Sequence, residues 1–202
     1  MQHLTQGLTH LKSDPILAVL IDRFGVINYQ QPKDRFENLV STIIGQQLSN
    51  KAADTIYGRF LKLFPKGRYT PKLILATPQD QLRSVGTSWA KVRSLHDLSQ
   101  KVIDGTLNLD SLDPLTDDEV VEYLTQVKGI GRWTAEMKLM FTLHRPDVLP
   151  LDDVGIQNAM VKHYKLNRKT KNFQSRMEKI ASPWRPYRTL ACWYLWKSLD
   201  NK

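Results

Sequence analysis

A chain of 202 residues that is 41% hydrophobic and 24% charged has material for one compact domain or two closely packed subdomains, and it lacks a disordered composition. Its formal charge of +9 and isoelectric point near 9.6 point to a polyanionic partner, although charge alone fits RNA, DNA or a membrane surface equally well. The single cysteine, Cys192, excludes an internal disulfide and any four-cysteine metal site.

No apolar run approaches membrane-spanning length and no basic-then-apolar leader opens the chain, so an intracellular location is expected. The histidines have no metal-ligand spacing. Asp14-Pro15 starts a helix with Ile16, Leu17, Val19, Leu20 and Phe24 on its apolar face and a stop at Gly25. Val26 to Tyr29 is a modest strand candidate, too short to anchor a sheet. After the polar link Gln30 to Asp34, Phe36, Leu39, Val40, Ile43 and Ile44 form a second helical stripe. Ser49 caps a third helix that runs to Pro65. A short helix around Leu73 to Ala76 stops at Pro78, and two more follow over Gln79 to Val85 and Trp89 to Ile103.

Two stretches then carry chemistry. In Leu124-Thr-Gln-Val-Lys-Gly-Ile-Gly-Arg-Trp-Thr-Ala135, a helix opened by the capping box Thr116-Asp-Asp-Glu119 ends in a Gly-Ile-Gly hairpin. A new helix starts at Arg132. Glycines suit a chain that reverses through left-handed dihedrals and brings its backbone close to another surface. The unpaired amides at the start of a helix form an anion site, and a DNA phosphate is an anion. A plain helical turn is the alternative. In Val148-Leu-Pro-Leu-Asp-Asp-Val-Gly-Ile156, a loop delivers two carboxylates to a helix containing Ile156, Met160 and Val161. An N-cap role suits either aspartate, and a tandem pair lets one cap while the other points elsewhere.

Together these stretches resemble the helix-hairpin-helix (HhH-GPD) DNA glycosylase superfamily, and among its branches 3-methyladenine DNA glycosylase II. The resemblance covers almost the whole chain and is weakest in the first dozen residues. It implies an all-α fold of two helical subdomains, about 33–153 and about 1–32 plus 154–202, with the active site in the cleft between them. It also implies that the N-terminal β-rich domain often found in that branch is absent. The expected activity is monofunctional hydrolysis of the N-glycosidic bond of alkylated purines, 3-methyladenine and 7-methylguanine, in base excision repair. A sibling glycosylase for uracil or deaminated purines, and a non-catalytic hairpin module, remain as alternatives.

Matched residue by residue, the resemblance assigns the essential carboxylate to Asp153, with Asp152 as a cap or supporting partner. A fixed anion there stabilises the positive charge that develops on the sugar. Trp133 stands where lyase-type relatives place a Schiff-base lysine, which implies an uncut strand after base loss. Trp133, Trp184 and Met137 are expected in the base pocket. Trp184 comes from Pro183-Trp-Arg-Pro-Tyr-Arg188, whereas Trp193, Tyr194 and Trp196 are read as core. Gln47 and Leu48, in Gly45-Gln-Gln-Leu-Ser49, are the expected wedge into the base stack, a polar helix-to-helix turn being the alternative. Lys128, Gly129, Ile130, Gly131, Arg132 and Thr134 are the expected DNA-backbone contacts.

No cofactor, metal or iron–sulfur cluster is expected, although a monovalent cation at the hairpin–phosphate contact is compatible with the reading. The expected partner is double-stranded DNA containing damaged bases, met by a monomer away from any membrane. The compartment would be the cytoplasm and nucleoid of a bacterium or the nucleus of a eukaryote. Lys162, Lys165, Arg168, Lys169 and Lys171 form a basic run that fits phosphate contacts and a solvated loop equally well.

Overall fold

A computed structural model of the chain describes residues 2–27 and 34–200. Among them are twelve α-helices, three short 3-10 turns and no strand. Helices α1 (Gln2–Leu11) and α2 (Pro15–Phe24) come first. Then follow α3 (Arg35–Gly45), α4 (Asn50–Leu61), α5 (Pro71–Ala76), α6 (Gln79–Ser84), α7 (Trp89–Ile103), α8 (Asp117–Thr125) and α9 (Arg132–Phe141). The last three are α10 (Val154–Tyr164), α11 (Phe173–Ala181) and α12 (Arg188–Lys197). Val26 and Ile27 are neither helix nor strand, and the rest of the strand candidate, with most of the Gln30 to Asp34 link, lies outside the described residues.

Local chemistry explains most of the helix starts. Asp14 accepts from the amides of Ile16 and Leu17 ahead of α2, and Asp34 accepts from Glu37 N ahead of α3. Ser49, Ser88 and Thr116 cap α4, α7 and α8, the last with the full capping box. Two details depart from the sequence reading. Val19, expected on the apolar face of α2, is 66% exposed, and the buried face is Leu17, Leu20 and Ile21. Helix α1 was not anticipated, although Leu4, Gly7, Leu8 and Leu11 lie along one helical face and Leu11 is fully buried.

The chain divides into two compact units, one of residues 1–30 and 139–202 and one of residues 31–138. In the second, α3 packs on α4 and α7, and α5 packs on α7. Its core includes Ile43, Ile44, Phe60, Ile74, Leu95 and Leu124. In the first, α12 packs on α1, α2 and α10 around Leu11, Leu17, Ile156, Met160, Tyr194 and Leu195. Each such side chain contributes about 1.5–3 kcal/mol by leaving water.

The first break lies close to the expected one, but the return falls at 138/139 rather than 153/154. The reason is the anchoring of the segment before Asp153. Thr189 N donates to Pro146 O at 3.0 Å, and Thr189 Oγ1 donates to Arg145 O at 2.6 Å while accepting from Val148 N at 3.0 Å. Arg188 grips Asp147 through Nε at 2.7 Å and through the backbone carbonyl at 2.7 Å. The carboxylate loop is therefore part of the α12 unit.

Candidate functional site

In the unit of residues 31–138, the hairpin joins α8 to α9. Gly129 has φ +81°, and a Cβ there would come within 2.3 Å of Ser94 Oγ. Both its dihedral and its surroundings call for glycine. Gly131 does not share this demand: its φ is not left-handed and a Cβ would meet nothing within 4 Å, so nothing within the chain requires glycine there. Ile130 is buried and anchors the turn, and Lys128 N donates to Asp97 Oδ2 at 2.8 Å. Beyond it α9 opens at Arg132, with the first-turn amides that an α-helix leaves without internal acceptors.

The side chains of two residues expected at the DNA backbone have partners within the chain. The guanidinium of Arg132 donates from Nε to Glu136 at 3.1 Å and lies 3.7 Å from Asp118, so it is already drawn toward carboxylates. Thr134 is buried, with its hydroxyl within 3.5 Å of Gln46 Nε2. Its backbone, not its side chain, is what a phosphate could meet.

The wedge loop leaves the end of α3. Gln47 takes a left-handed φ of +58°, unusual for a residue with a Cβ, and both Gln47 and Leu48 are exposed. Two side chains hold the loop. Lys91 Nζ donates to the carbonyls of Ile44 and Gln46, each at 2.8 Å, and partial burial lowers its pKa. Gln46 Nε2 donates to Gly129 O at 2.9 Å, which ties the loop to the hairpin. Sequence reading gave neither residue a role: Gln46 sits in the quoted Gly45–Ser49 string beside the expected wedge, and Lys91 belongs to no motif.

Beside them lies a cavity of about 600 Å³, bounded by Thr42, Gln46, Gln47, Leu48, Trp133 and Thr134. Trp133 is 43% exposed and presents an indole to this hollow. Met137 is half-buried one turn further along α9. Lys138 is buried within the same unit. Its Nζ donates to Asn38 Oδ1 and Thr42 Oγ1, and desolvation lowers its pKa to about 8.

In the other unit, Asp153 is itself the N-cap of α10 and is only 8% exposed. Its Oδ1 accepts from Ile156 N at 2.7 Å and from Trp196 Nε1 at 2.7 Å. These two donors fix which way the carboxylate points. The cap therefore falls to Asp153 and not to Asp152, whose Oδ1 accepts from Gln174 Nε2 at 2.7 Å at the surface. Gly155 makes the indole contact feasible, since a Cβ there would sit 2.7 Å from Trp196 Cδ1 and 3.0 Å from Asp153 Oδ1. Phe141 covers the same indole, with ring centroids 5.7 Å apart.

The roles of two tryptophans are exchanged relative to the sequence reading. Trp196, read as core, is half-buried and holds the carboxylate. Trp184, expected in the base pocket, is 1% exposed. Its Nε1 donates to Asp14 Oδ2 at 3.0 Å, where Tyr164 OH also donates at 3.0 Å, so both rings are pinned to the N-cap of α2. Burial and the charge of Asp14 push the Tyr164 phenol above its ordinary range. The Pro183–Arg188 motif therefore braces the unit: Arg185 and Arg188 clamp Asp147, and Trp184 fills the core. Among the described residues, no group of three His, Cys, Asp or Glu side chains could hold a metal ion, and no helix is long and apolar enough to cross a membrane.

A family model described as HhH-GPD superfamily base excision DNA repair protein matches residues 40–186. The chain belongs to this superfamily. The match spans the hairpin and the carboxylate loop and ends within the bracing motif. The chain is 35% identical to DNA-3-methyladenine glycosylase 1 of Schizosaccharomyces pombe, over 90% of its own length and 80% of that protein's. It is 31% identical to a putative DNA-3-methyladenine glycosylase of Bacillus subtilis, over 98% of its length and 70% of that protein's. Among solved structures, the Schizosaccharomyces pombe 3-methyladenine DNA glycosylase in complex with abasic DNA superposes with a TM-score of 0.84 at 33% identity, covering 97% of each chain. A Bacillus halodurans DNA-3-methyladenine glycosidase gives 0.83 at 35% identity, covering 96% of this chain and 88% of that one.

Proposed function

We propose that this HhH-GPD protein is a monofunctional DNA glycosylase that hydrolyses the N-glycosidic bond of alkylated purines in double-stranded DNA. The observation that carries the reading is the rigidly aimed carboxylate of Asp153, held at one oxygen by a backbone amide and an indole N–H. A protein that only binds DNA gains nothing from a fixed anion beside phosphates. The names of the relatives at 31–35% identity support alkylated bases as substrates.

The chemistry follows from charge. A purine methylated at N3 or N7 is cationic and departs readily, so the enzyme's main task is the sugar. As the bond to the base breaks, positive charge develops at the anomeric centre, and Asp153 stabilises it and orients the attacking water. Gln47 and Leu48 fill the space left when the nucleotide is extruded, which costs roughly a few kcal/mol. The indole of Trp133 offers a π face that favours a cationic base by about 0.5–2 kcal/mol. No Schiff base forms at Trp133, and Lys138 is committed to Asn38 and Thr42 in the interior.

The protein acts as a monomer without a cofactor and with no role for a transition metal; the backbone of the Gly129–Gly131 hairpin would hold a monovalent cation if one assists the phosphate contact. It works where the cell keeps its DNA, the nucleoid of a bacterium or the nucleus of a eukaryote. A panel of duplexes, each with one defined lesion, tests the reading through release of free base in EDTA. The expected result is release of 3-methyladenine and 7-methylguanine ahead of uracil and hypoxanthine, with the strand cut only after alkali and no borohydride-trapped adduct. Faster uracil release than any alkylated purine would replace the reading with a sibling glycosylase. A robust adduct would make it a lyase.

A further inference from the structure

Most of the net positive charge of the molecule lies outside the unit that carries the hairpin. Residues 31–138 hold 15 Lys and Arg against 13 Asp and Glu, whereas residues 1–30 and 139–202 hold 14 against 7. Within the second group, residues 162–179 alone contain seven basic residues and one acid, Glu178. A unit contacting DNA only through its hairpin would concentrate charge around that hairpin, yet the unit carrying the carboxylate is far more basic.

This basic segment is built, not loose. Leu166 and Phe173 are buried on either side of its loop, and turns at Asn167 and Thr170 are closed by backbone hydrogen bonds. Arg168 donates to Asn158 Oδ1 at 2.7 Å and reaches Val154 O at 3.5 Å, so the segment lies along the first turns of α10. Gln174 Nε2 donates to Asp152 Oδ1, beside the proposed catalytic residue. Lys169 and Lys171 on the loop and Arg176 and Lys179 on the outer face of α11 are exposed, the latter two three residues apart and hence neighbours. Leu166 and Phe173 face inward, and the cations face water.

We infer that residues 165–179 form a second DNA-backbone surface, distinct from the hairpin, which takes phosphodiester groups through Lys169, Lys171 and Arg176 next to the Asp153 loop. The inference rests on the glycosylase reading only for the identity of the polyanion as duplex DNA. Phosphate neutralisation releases counterions, and each contact adds about 0.9 to the slope of log affinity against log salt. The anchoring through Arg168 and Gln174 puts this grip on the unit that carries the carboxylate, so it registers the strand against Asp153 from within that unit.

The test is binding of the full chain to an undamaged duplex and to the same duplex with an abasic-site analogue, across a salt series. The triple variant Lys169→Gln, Lys171→Gln, Arg176→Gln is expected to flatten the salt slope by about 2–3 and to weaken both complexes on the order of 100-fold at 0.15 M salt. A charge-matched control, Lys62→Gln, Lys66→Gln, Lys72→Gln in the other unit, is expected to flatten the slope by less than 1. An unchanged slope in the first variant overturns the inference, as does an equal change in the control, which would mean diffuse charge only. Because binding to undamaged DNA needs no base release, a flattened slope beside an inactive wild type would reject the glycosylase reading and leave this surface standing. Normal base release with an unmoved slope would do the reverse.

Discussion

The hairpin and the carboxylate loop are fixed by different means. The hairpin is set by its backbone: Gly129 at φ +81° has Ser94 against it, and the amides at the start of α9 are positioned by the turn itself. The carboxylate is set by side-chain packing: Asp153 is aimed by an indole that arrives from α12 and fits only because residue 155 lacks a Cβ. The lesson is that one region fails through dihedral strain and the other through displacement of a neighbour. Substitutions separate the two.

The largest expected effect is at Asp153. Asp153→Asn keeps the shape and the cap but removes the charge, and single-turnover base release is expected to fall on the order of 1000-fold, while affinity for an abasic-site duplex stays within a few-fold. A greater loss in Asp152→Asn would move the catalytic role to the surface carboxylate. Next come the residues that aim it. Trp196→Phe retains an aromatic ring but deletes one of the two donors to Oδ1, and about a tenfold loss of rate corresponds to the roughly 1–1.5 kcal/mol of a hydrogen bond. Gly155→Ala drives a methyl into the same indole and is expected to match that loss. If both variants kept the wild-type rate, the indole would be mere packing.

The hairpin is expected to respond in affinity, not in rate. Gly129→Ala places a Cβ in a left-handed conformation at a cost of about 1–2 kcal/mol and should weaken damaged and undamaged duplexes alike. Gly131→Ala, with ordinary dihedrals and open space, should weaken them less. Equal losses at the two positions would contradict the dihedral account.

The smallest effect on activity is expected at Lys138, where the readout is stability. Its pKa is about 8 in the folded chain, below the 10.5 of a free lysine side chain, because burial disfavours the charged form. The folded state thus binds this proton less tightly than the unfolded state does. The penalty is fully present below pH 8 and is relieved as pH rises from 8 toward 10.5, by on the order of 1–3 kcal/mol. Denaturant unfolding at pH 7 and pH 10 should show the wild type gaining on Lys138→Met over this range. A constant gap would mean that the hydrogen bonds to Asn38 and Thr42 compensate the burial.

Sequence legibility followed the same division. The hairpin, the capping box, the Ser49 cap and the stripe on α3 could be read because short-range chemistry dictates them. The exchange of Trp184 and Trp196 could not, since both are tryptophans near apolar residues and only the fold brings Asp14 to one and Asp153 to the other. A signal did exist in Gly155. Glycine in the first turn of a helix is unfavourable and implies that something packs close against it. Lys91 and Gln46 gave no such signal, because a lysine on a helix and a glutamine in a turn are ordinary until their acceptors are known.

Cys192 has a consequence of another kind. The only thiol in the sequence is fully buried, with its Sγ 3.9 Å from the carbonyl of Val148 at the base of the carboxylate loop. Sulfur is the softest nucleophile a protein offers to electrophilic methyl donors, and a thiol buried in the core is out of their reach. A protein whose proposed substrates are the products of such reagents in DNA thus withholds from them the side chain they would attack first. Its folded state shields it from the exposure that creates its work.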